Sequence, residues 1–138
     1  MRIRSSKLTI LIVEDDPSLR EVICLSLERY GYYIFSASQG QQAFEILRSA
    51  SENGIENQID LVVSDIKMPG GNGLDLLRQI KTELAQPPVV ILMTGFSDTL
   101  TSEAIKEGAH AILSKPFTVD ALVEEIEKIY PKPHLESV

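Results

Sequence analysis

The sequence has few cysteine, histidine and basic residues, which are the residues that form disulfides, bind zinc or contact nucleic acid. It contains one cysteine, Cys24, and two histidines in 138 residues, so it has neither an internal disulfide nor a Cys/His set with zinc-ligand spacing. Basic residues are also scarce, because 13 Lys and Arg against 20 Asp and Glu leave a net charge of −7. Such a surface repels a phosphate backbone, and we therefore expect no direct nucleic-acid binding.

Long apolar runs are absent as well. The longest, at residues 8–13 and 89–93, are far shorter than a membrane span, and the basic start of the chain does not look like a signal peptide. Apolar residues make up 43% and charged residues 24%, which is ordinary for a globular protein of single-domain size. We expect one cytoplasmic domain at residues 8–130, without membrane contact, between short tails at 1–7 and 131–138.

Short apolar runs alternate with amphipathic segments five times along the chain. The runs lie at residues 8–13, 32–37, 61–64, 89–93 and 111–113. The first run is β-branched and apolar on both faces, which is typical of a parallel strand covered on both sides. The alternation predicts an α/β fold in which a parallel sheet carries helices on both faces.

Capping residues and apolar spacing predict where the helices begin, end and face. The expected core-facing residues of the first and fourth helices are Leu19, Val22, Ile23, Leu27 and Tyr30, and Leu100, Ala104 and Ile105. The expected caps are Asp16, Ser38, Ser97 and Thr118, and the expected stops are Gly31 and Gly108. Residues 69–73, rich in glycine, are predicted to form a turn outside regular structure.

Ionisable and hydroxyl side chains follow four of the five predicted strands. Glu14 and Asp15 follow the first strand, Asp65 the third, Thr94 the fourth and Lys115 the fifth. The carboxyl ends of parallel strands form one edge of the sheet, and ligands bind there. We therefore expect these side chains to converge at that edge.

Carboxylates at one edge need a cation at neutral pH, and oxygen ligands without His or Cys favour a hard divalent ion, chiefly Mg²⁺. Phosphate oxygens usually fill the open positions of such an ion. The nucleophile must be one of the acids, because no Ser–His or Cys–His pair accompanies them. The pattern predicts a site that places a phosphoryl group beside a carboxylate.

Four segments carry the side chains at these strand ends: Val13-Glu14-Asp15-Asp16, Ser64-Asp65-Ile66-Lys67-Met68-Pro69, Met93-Thr94-Gly95 and Ser114-Lys115-Pro116-Phe117. In this order and at these separations, the segments resemble the receiver domain of bacterial two-component response regulators. The resemblance covers residues 8–130. It implies a single (βα)5 flavodoxin-like, doubly wound sheet with strand order 2-1-3-4-5.

The resemblance implies a signalling phosphoacceptor rather than an enzyme that acts on other molecules, with only self-directed phosphotransfer and autodephosphorylation. Asp65 would accept the phosphoryl group from the phosphohistidine of a sensor histidine kinase or a histidine phosphotransfer protein, or from a small phosphodonor. The domain would then switch conformation or relay the group. Thr94 and Lys115 would then bind its oxygens, and the Lys115–Pro116 peptide would be cis. A downstream protein partner is implied, while a phosphorylation-dependent dimer stays open.

The resemblance also implies a Mg²⁺ site. Asp15 would bind the ion directly and Glu14 through water, and the site would also include Asp65 and the backbone carbonyl of Lys67. The family more often has Asp at the position of Glu14, and often has Tyr or Phe at the position of Ile112. The missing aromatic puts in doubt a switch that runs through the fourth helix and fifth strand.

Three other functions compete with this interpretation. A Mg²⁺-dependent phosphatase of the haloacid-dehalogenase type needs a second Asp two residues after its nucleophile, where this chain has Lys67. A flavodoxin-like electron carrier needs a Ser/Thr/Gly loop after its first strand, where the acids of this chain would repel the flavin phosphate. A degenerate receiver that never takes phosphate is disfavoured, because the acids, Thr94 and Lys115 are all present.

Overall fold

Strands and helices alternate along the whole described part of the chain. The computed structural model describes residues 7–52, 58–68, 72–95 and 100–131. In chain order the elements are β1 (Thr9–Val13), α1 (Pro17–Arg29), β2 (Tyr33–Ala37), α2 (Gly40–Glu52), β3 (Leu61–Asp65), α3 (Gly73–Glu83), β4 (Val89–Thr94), α4 (Leu100–Lys106), β5 (Ala111–Ser114) and α5 (Val119–Ile129). The predicted α/β alternation is confirmed.

The strands form one parallel sheet in the order β2-β1-β3-β4-β5. This is the order that the resemblance implied, and it is confirmed. The register pairs Asp65 with Met93 and Thr94 with Ser114, so the ends of β3, β4 and β5 lie at nearly the same height. The residues that follow these strands are thereby brought to one edge.

Two hydrophobic layers cover the sheet, one on each face. Leu11 and Val13 of β1 pack with residues of α2, α3 and α4, whereas Ile10 and Ile12 pack with residues of α1 and α5. All four side chains are fully buried, as expected for a strand that is apolar on both faces. Among the described helices, none is long and apolar enough to cross a membrane.

Several predicted helix ends are confirmed by the backbone. The Asp16 carboxylate accepts hydrogen bonds from two first-turn amides of α1, and the Thr118 hydroxyl accepts one from Ala121 of α5. Beyond the ends of α1 and α4, Gly31 and Gly108 adopt φ values of 98° and 112°. Glycine is the residue that reaches this left-handed region without steric cost.

Three residues that we expected to face the core are exposed. Val22, Tyr30 and Ile105 have exposed fractions of 55%, 40% and 48%. Tyr30 lies one residue beyond α1, and its hydroxyl donates to the Asp120 carboxylate of α5 at 2.6 Å instead of packing inward. Helical spacing locates an apolar stripe, but only the neighbouring helices decide which of its flanks is covered.

One predicted helix cap and one predicted turn residue were wrong. The helix α2 begins at Gly40, so Ser38 is not its cap; the Ser38 amide instead donates to Oε1 of Gln42 at 2.9 Å. Gly73 is the first residue of α3, and Asn72 caps this helix by accepting from the Asp75 amide at 2.8 Å. The other expected turn residues, 69–71, and the expected cap Ser97 lie outside the described residues.

Candidate acidic phosphoacceptor site

The end of β1 carries a buried and an exposed carboxylate side by side. Glu14 is 1% exposed, and its amide continues the sheet by donating to the Ala37 carbonyl at 3.1 Å. Its Oε2 accepts from the Asp16 amide at 3.1 Å. Asp15 is exposed. The loop between β1 and α1 therefore presents one carboxylate inside the protein and one at its surface.

Asp65 is the last residue of β3 and is 6% exposed. The backbone around it is held by sheet-like bonds, because the Ile66 amide donates to the Met93 carbonyl at 2.9 Å. The Ser64 hydroxyl donates to the Asp65 carbonyl at 2.9 Å. These bonds leave the Asp65 carboxylate at the carboxyl edge of the sheet, as the sequence predicts.

The Lys115 ammonium connects the two buried carboxylates. Its Nζ donates to Oδ2 of Asp65 at 3.0 Å and to Oε1 of Glu14 at 3.1 Å. The Lys115 amide is fixed to the sheet by a 2.6 Å bond to the Thr94 carbonyl. The Lys115–Pro116 peptide is cis, in agreement with the resemblance.

The proton affinities of these groups follow from their surroundings. Burial raises the pKa of the Glu14 carboxyl, although hydrogen bonds from the Asp16 amide and the Lys115 ammonium oppose this effect. Burial by itself would lower the pKa of Lys115, but its hydrogen bonds to Asp65 and Glu14, together with the negative charges of these two acids, outweigh burial and raise that pKa. The ammonium is therefore firmly charged, and it offsets part of the cost of placing two carboxylates together.

The three acids can reach one metal ion. One carboxylate oxygen each from Glu14, Asp15 and Asp65 lies within 4.8 Å of the others. An octahedral Mg²⁺ ion with ligands at about 2 Å spans about 4 Å between opposite oxygens, so small side-chain movements would suffice. A set of carboxylate oxygens without nitrogen or sulfur also has the chemistry that Mg²⁺ prefers. These residues fit the predicted ion.

The remaining predicted residues lie around this centre. Thr94 ends β4 and is 4% exposed, and Lys67 has an exposed side chain two residues beyond Asp65. Ile112 is half-buried on β5 and packs against the hydrophobic layer formed with α2, α3 and α4. An aliphatic side chain thus stands at the position where the family often has an aromatic one.

Sequence reasoning missed one cation near the site. Arg20 in α1 donates from Nη1 to the Glu14 carbonyl at 2.7 Å, which ties the helix to the loop that carries the acids. Side chains of a helix lean toward its amino end, so an Arg in the first turns of α1 can reach back to the strand. This lean of helical side chains could have predicted from the sequence that Arg20 reaches the site.

The structure defines a class of α/β domains with a parallel sheet in the order 2-1-3-4-5 and acidic side chains at its carboxyl edge, and comparison with known proteins identifies the family. The family model described as "Response regulator receiver domain" matches residues 10–127. The chain belongs to the response regulator receiver domain family. The family that the four short segments resemble is thereby confirmed.

Similar proteins include regulators longer than this chain. A probable transcriptional regulatory protein of Picosynechococcus is 35% identical over 119 residues, which are 86% of this chain and 47% of that protein. The C4-dicarboxylate transport transcriptional regulatory protein DctD of Pseudomonas aeruginosa is 35% identical over 120 residues, which are 86% of this chain and 24% of DctD. The chain thus spans about half or a quarter of these relatives.

Solved structures agree with this assignment. A response regulator receiver domain protein from Clostridium thermocellum has a TM-score of 0.79 and 33% identity, covering 88% of this chain and 92% of that one. A signal receiver domain from Bermanella marisrubri has a TM-score of 0.78 and 28% identity, covering 88% and 97%. The chain is therefore a two-component signalling domain by family and by fold.

Proposed function

We propose that Asp65 accepts a phosphoryl group from the phosphohistidine of a sensor histidine kinase or a histidine phosphotransfer protein. The observation that carries this proposal is the meeting of three carboxylates, from Glu14, Asp15 and Asp65, within 4.8 Å of one another. The ammonium of Lys115 lies 3.0 Å from the Asp65 carboxylate. Transfer onto a carboxylate requires positioning and charge neutralisation more than acid–base chemistry.

The proposed step forms one bond and breaks another. An oxygen of the Asp65 carboxylate bonds to phosphorus while the phosphorus–nitrogen bond of the donor breaks, and the imidazole keeps the electron pair and takes up a proton. Lys115 and the Thr94 hydroxyl would bind the phosphoryl oxygens after transfer. The exposed Asp15 lies where an incoming donor can approach the site.

Asp15 and Asp65 would hold Mg²⁺ directly, Glu14 would hold it through water, and the Lys67 carbonyl would complete the protein ligands. When bound, the ion would supply positive charge between the carboxylates and the incoming phosphoryl oxygens. Lys115 already contributes one positive charge to the same place. Four acidic or phosphoryl groups would otherwise repel one another.

One residue argues against the alternative that the protein is a phosphatase. An enzyme of the haloacid-dehalogenase type places an acid–base aspartate two residues after its nucleophile, whereas the exposed Lys67 stands two residues after Asp65. The lysine at this position does not supply the carboxylate that such an enzyme uses for acid–base catalysis. We therefore propose that the phosphoryl group is lost from Asp65 itself and that the domain does not turn over external phosphate esters.

The output of the domain is proposed by analogy with its relatives. Several of them are named as transcriptional regulatory proteins, and they are longer than this chain. We propose that residues 8–130 act as the phosphoacceptor unit and pass the signal to a downstream protein or domain. The expected cytoplasmic location and phosphorylation-dependent dimer stay predictions, and sedimentation with and without beryllofluoride would measure the dimer.

The test is covalent labelling of the wild-type protein with acetyl phosphate and Mg²⁺. We expect the intact mass to rise by one phosphoryl group, and Asp65→Asn to abolish this rise. Asp75→Asn, which changes an exposed carboxylate on α3, is the matched control and should still be labelled. An unchanged wild-type mass, together with unchanged amide spectra in beryllofluoride and Mg²⁺, would refute the proposal.

A second variant tests the metal ligands. Asp15→Ala should lose Mg²⁺ binding in calorimetry while it keeps the wild-type circular dichroism spectrum, because the side chain is exposed. An unfolded Asp15→Ala protein would instead assign this carboxylate to the fold.

A further inference from the structure

The helix α3 begins in direct contact with the backbone of Asp65. Gly73, its first residue, is buried, and its amide donates to the Ile66 carbonyl at 2.7 Å. A Cβ atom placed on Gly73 would overlap the Asp65 carbonyl oxygen and lie 3.1 Å from both the Asp65 carbonyl carbon and the Ile66 Cα. Only a residue without a side chain lets the helix approach so closely.

The backbone that Gly73 touches has little freedom to yield. The Asp65 carbonyl accepts from the Ser64 hydroxyl at 2.9 Å, and the Ile66 amide donates to Met93 of β4 at 2.9 Å. Ser64 and Ile66 are both fully buried. The strand and the helix therefore hold the Asp65–Ile66 peptide between them, and the start of α3 limits how far this peptide can shift.

We propose that Gly73 is a positioning residue for the Asp65 carboxylate. Close contact between α3 and the Asp65–Ile66 peptide sets the distance from the carboxylate to Glu14, Asp15 and Lys115. This inference rests on the proposed function only in assuming that the Asp65 carboxylate accepts a phosphoryl group. The contact between Gly73 and the Asp65–Ile66 peptide exists without one. A displacement of about 1 Å at a reacting group is enough to cost orders of magnitude in rate.

The chain supplies a matched comparison at the start of another helix. Gly40 is the first residue of α2, as Gly73 is of α3, and a Cβ on Gly40 would meet only the Leu76 Cβ, at 3.8 Å. That is an ordinary van der Waals distance. Neither glycine has a positive φ, so the two differ in the space around the Cβ and not in backbone conformation.

The experiment compares Gly73→Ala with Gly40→Ala. Alanine favours a helix over glycine, so Gly40→Ala should be at least as stable as wild type and bind Mg²⁺ with an unchanged dissociation constant. Gly73→Ala should bind Mg²⁺ at least about tenfold more weakly, because the alanine methyl displaces Asp65 from its partners and groups that orient metal ligands affect affinity by this much. Calorimetry measures the dissociation constants, and thermal melting measures the stabilities.

A spectroscopic measurement separates positioning from general destabilisation. With EDTA present, the ¹³C resonances of the Asp65 carbonyl and carboxylate and the amide resonance of Ile66 should move in Gly73→Ala and stay in place in Gly40→Ala. A folded Gly73→Ala protein with wild-type Mg²⁺ affinity and wild-type Asp65 resonances would overturn the inference. Wild type that binds Mg²⁺ but takes no phosphoryl group would refute the proposed function and leave this inference standing.

A milder pair of variants decides the matter if Gly73→Ala does not fold. Asn72→Ala removes the cap of α3 without adding an atom near Asp65, whereas Gln42→Ala removes the hydrogen bond to Ser38 at the start of α2. We expect Asn72→Ala to weaken Mg²⁺ binding and to shift the Asp65 resonances, and Gln42→Ala to do neither. Equal behaviour of the two variants would overturn the inference.

Discussion

The Lys115 ammonium lies 3.0 Å from the Asp65 carboxylate and 3.1 Å from the Glu14 carboxylate. One cation therefore pairs with two acids at the ends of different strands. Glu14 and Asp65 are almost completely buried, while the Lys115 side chain keeps 24% of its surface exposed. A buried charge is tolerated when it is paired. The resting site therefore depends on Lys115 for its electrostatic balance.

Lys115→Met should lower the free energy of unfolding by about 2 kcal/mol at neutral pH in EDTA. The loss is smaller than for a fully buried pair because Lys115 retains contact with water. Adding Mg²⁺ should restore part of the stability, since an ion that binds only the folded state stabilises it. Urea unfolding with and without Mg²⁺ measures both effects.

Lys128→Met is the control for this experiment. Its ammonium pairs with Glu125 at the surface of α5, at 3.1 Å, and such pairs contribute little. An equal loss of stability in both variants would show that Lys115 does not balance the buried acids.

Glu14→Gln should be more stable than wild type at neutral pH in the absence of metal. Because burial raises the pKa of Glu14 in the folded protein, its ionised form costs stability at pH values above that raised pKa. The cost disappears as the pH falls through the folded-state pKa toward the ordinary value of 4.5. The advantage of the variant should therefore shrink over that pH interval.

Chemical denaturation of Glu14→Gln and wild type in EDTA at a series of pH values tests this dependence. Glu45→Gln, at an exposed position of α2, controls for the introduction of an amide. A stability difference that grows on acidification would contradict the sign of the expected effect.

Asp60 should stabilise the opposite end of the sheet without influence on the acidic site. Its buried carboxylate accepts from the Thr9 amide at 2.9 Å, and its carbonyl accepts from the Tyr130 hydroxyl at 3.0 Å. Asp60→Ala should lower the free energy of unfolding by about 1–3 kcal/mol, because the Thr9 amide loses its acceptor. The Mg²⁺ dissociation constant should not change.

Asp60→Asn keeps an oxygen acceptor and should lose less stability than Asp60→Ala. Urea unfolding and calorimetry on both variants provide the measurement. A weakened Mg²⁺ affinity in Asp60→Asn would show that this end of the sheet is coupled to the site after all.

Arg78 should hold α4 against α3 through ion pairs. Its guanidinium lies 2.6 Å from Glu103 in α4 and 3.3 Å from Glu107 just beyond that helix. Arg78→Met should lower stability by about 0.5–1 kcal/mol at low salt, because the side chains are partly exposed and such pairs are modest. The difference should shrink in concentrated salt, which screens surface charges.

Hydrogen exchange provides the local measurement for Arg78. The backbone amides of α4 should exchange faster in Arg78→Met, because within this helix Ala104 is fully buried and the ion pairs add to its packing. The amides of α1 should exchange at the same rate as in wild type. A loss of protection spread evenly over the protein would show that the ion pairs do not act locally.

Local pattern along the sequence determined the order of the elements and the identity of the acidic site. The apolar runs at β1, β3 and β4 are typical of buried strands, and the carboxyl ends of parallel strands bring Glu14, Asp15 and Asp65 to one edge. Asp16 and Thr118 were recognisable as caps, because capping depends on a side chain and the amides two or three residues away. Such short-range effects are visible in a sequence.

Tertiary structure alone decided which surfaces and contacts the chain uses. Val22 and Ile105 lie on apolar helical stripes but are exposed, because none of the helices that the structure describes covers those flanks. Gly73 belongs to a helix and not to a turn because its missing side chain fits against Asp65, a contact set by packing between two elements. The sequence predicts that Lys115 and Glu14 lie at one edge of the sheet, but only the folded chain decides that the Lys115 ammonium bonds to both Glu14 and Asp65, across 101 and 50 positions of sequence.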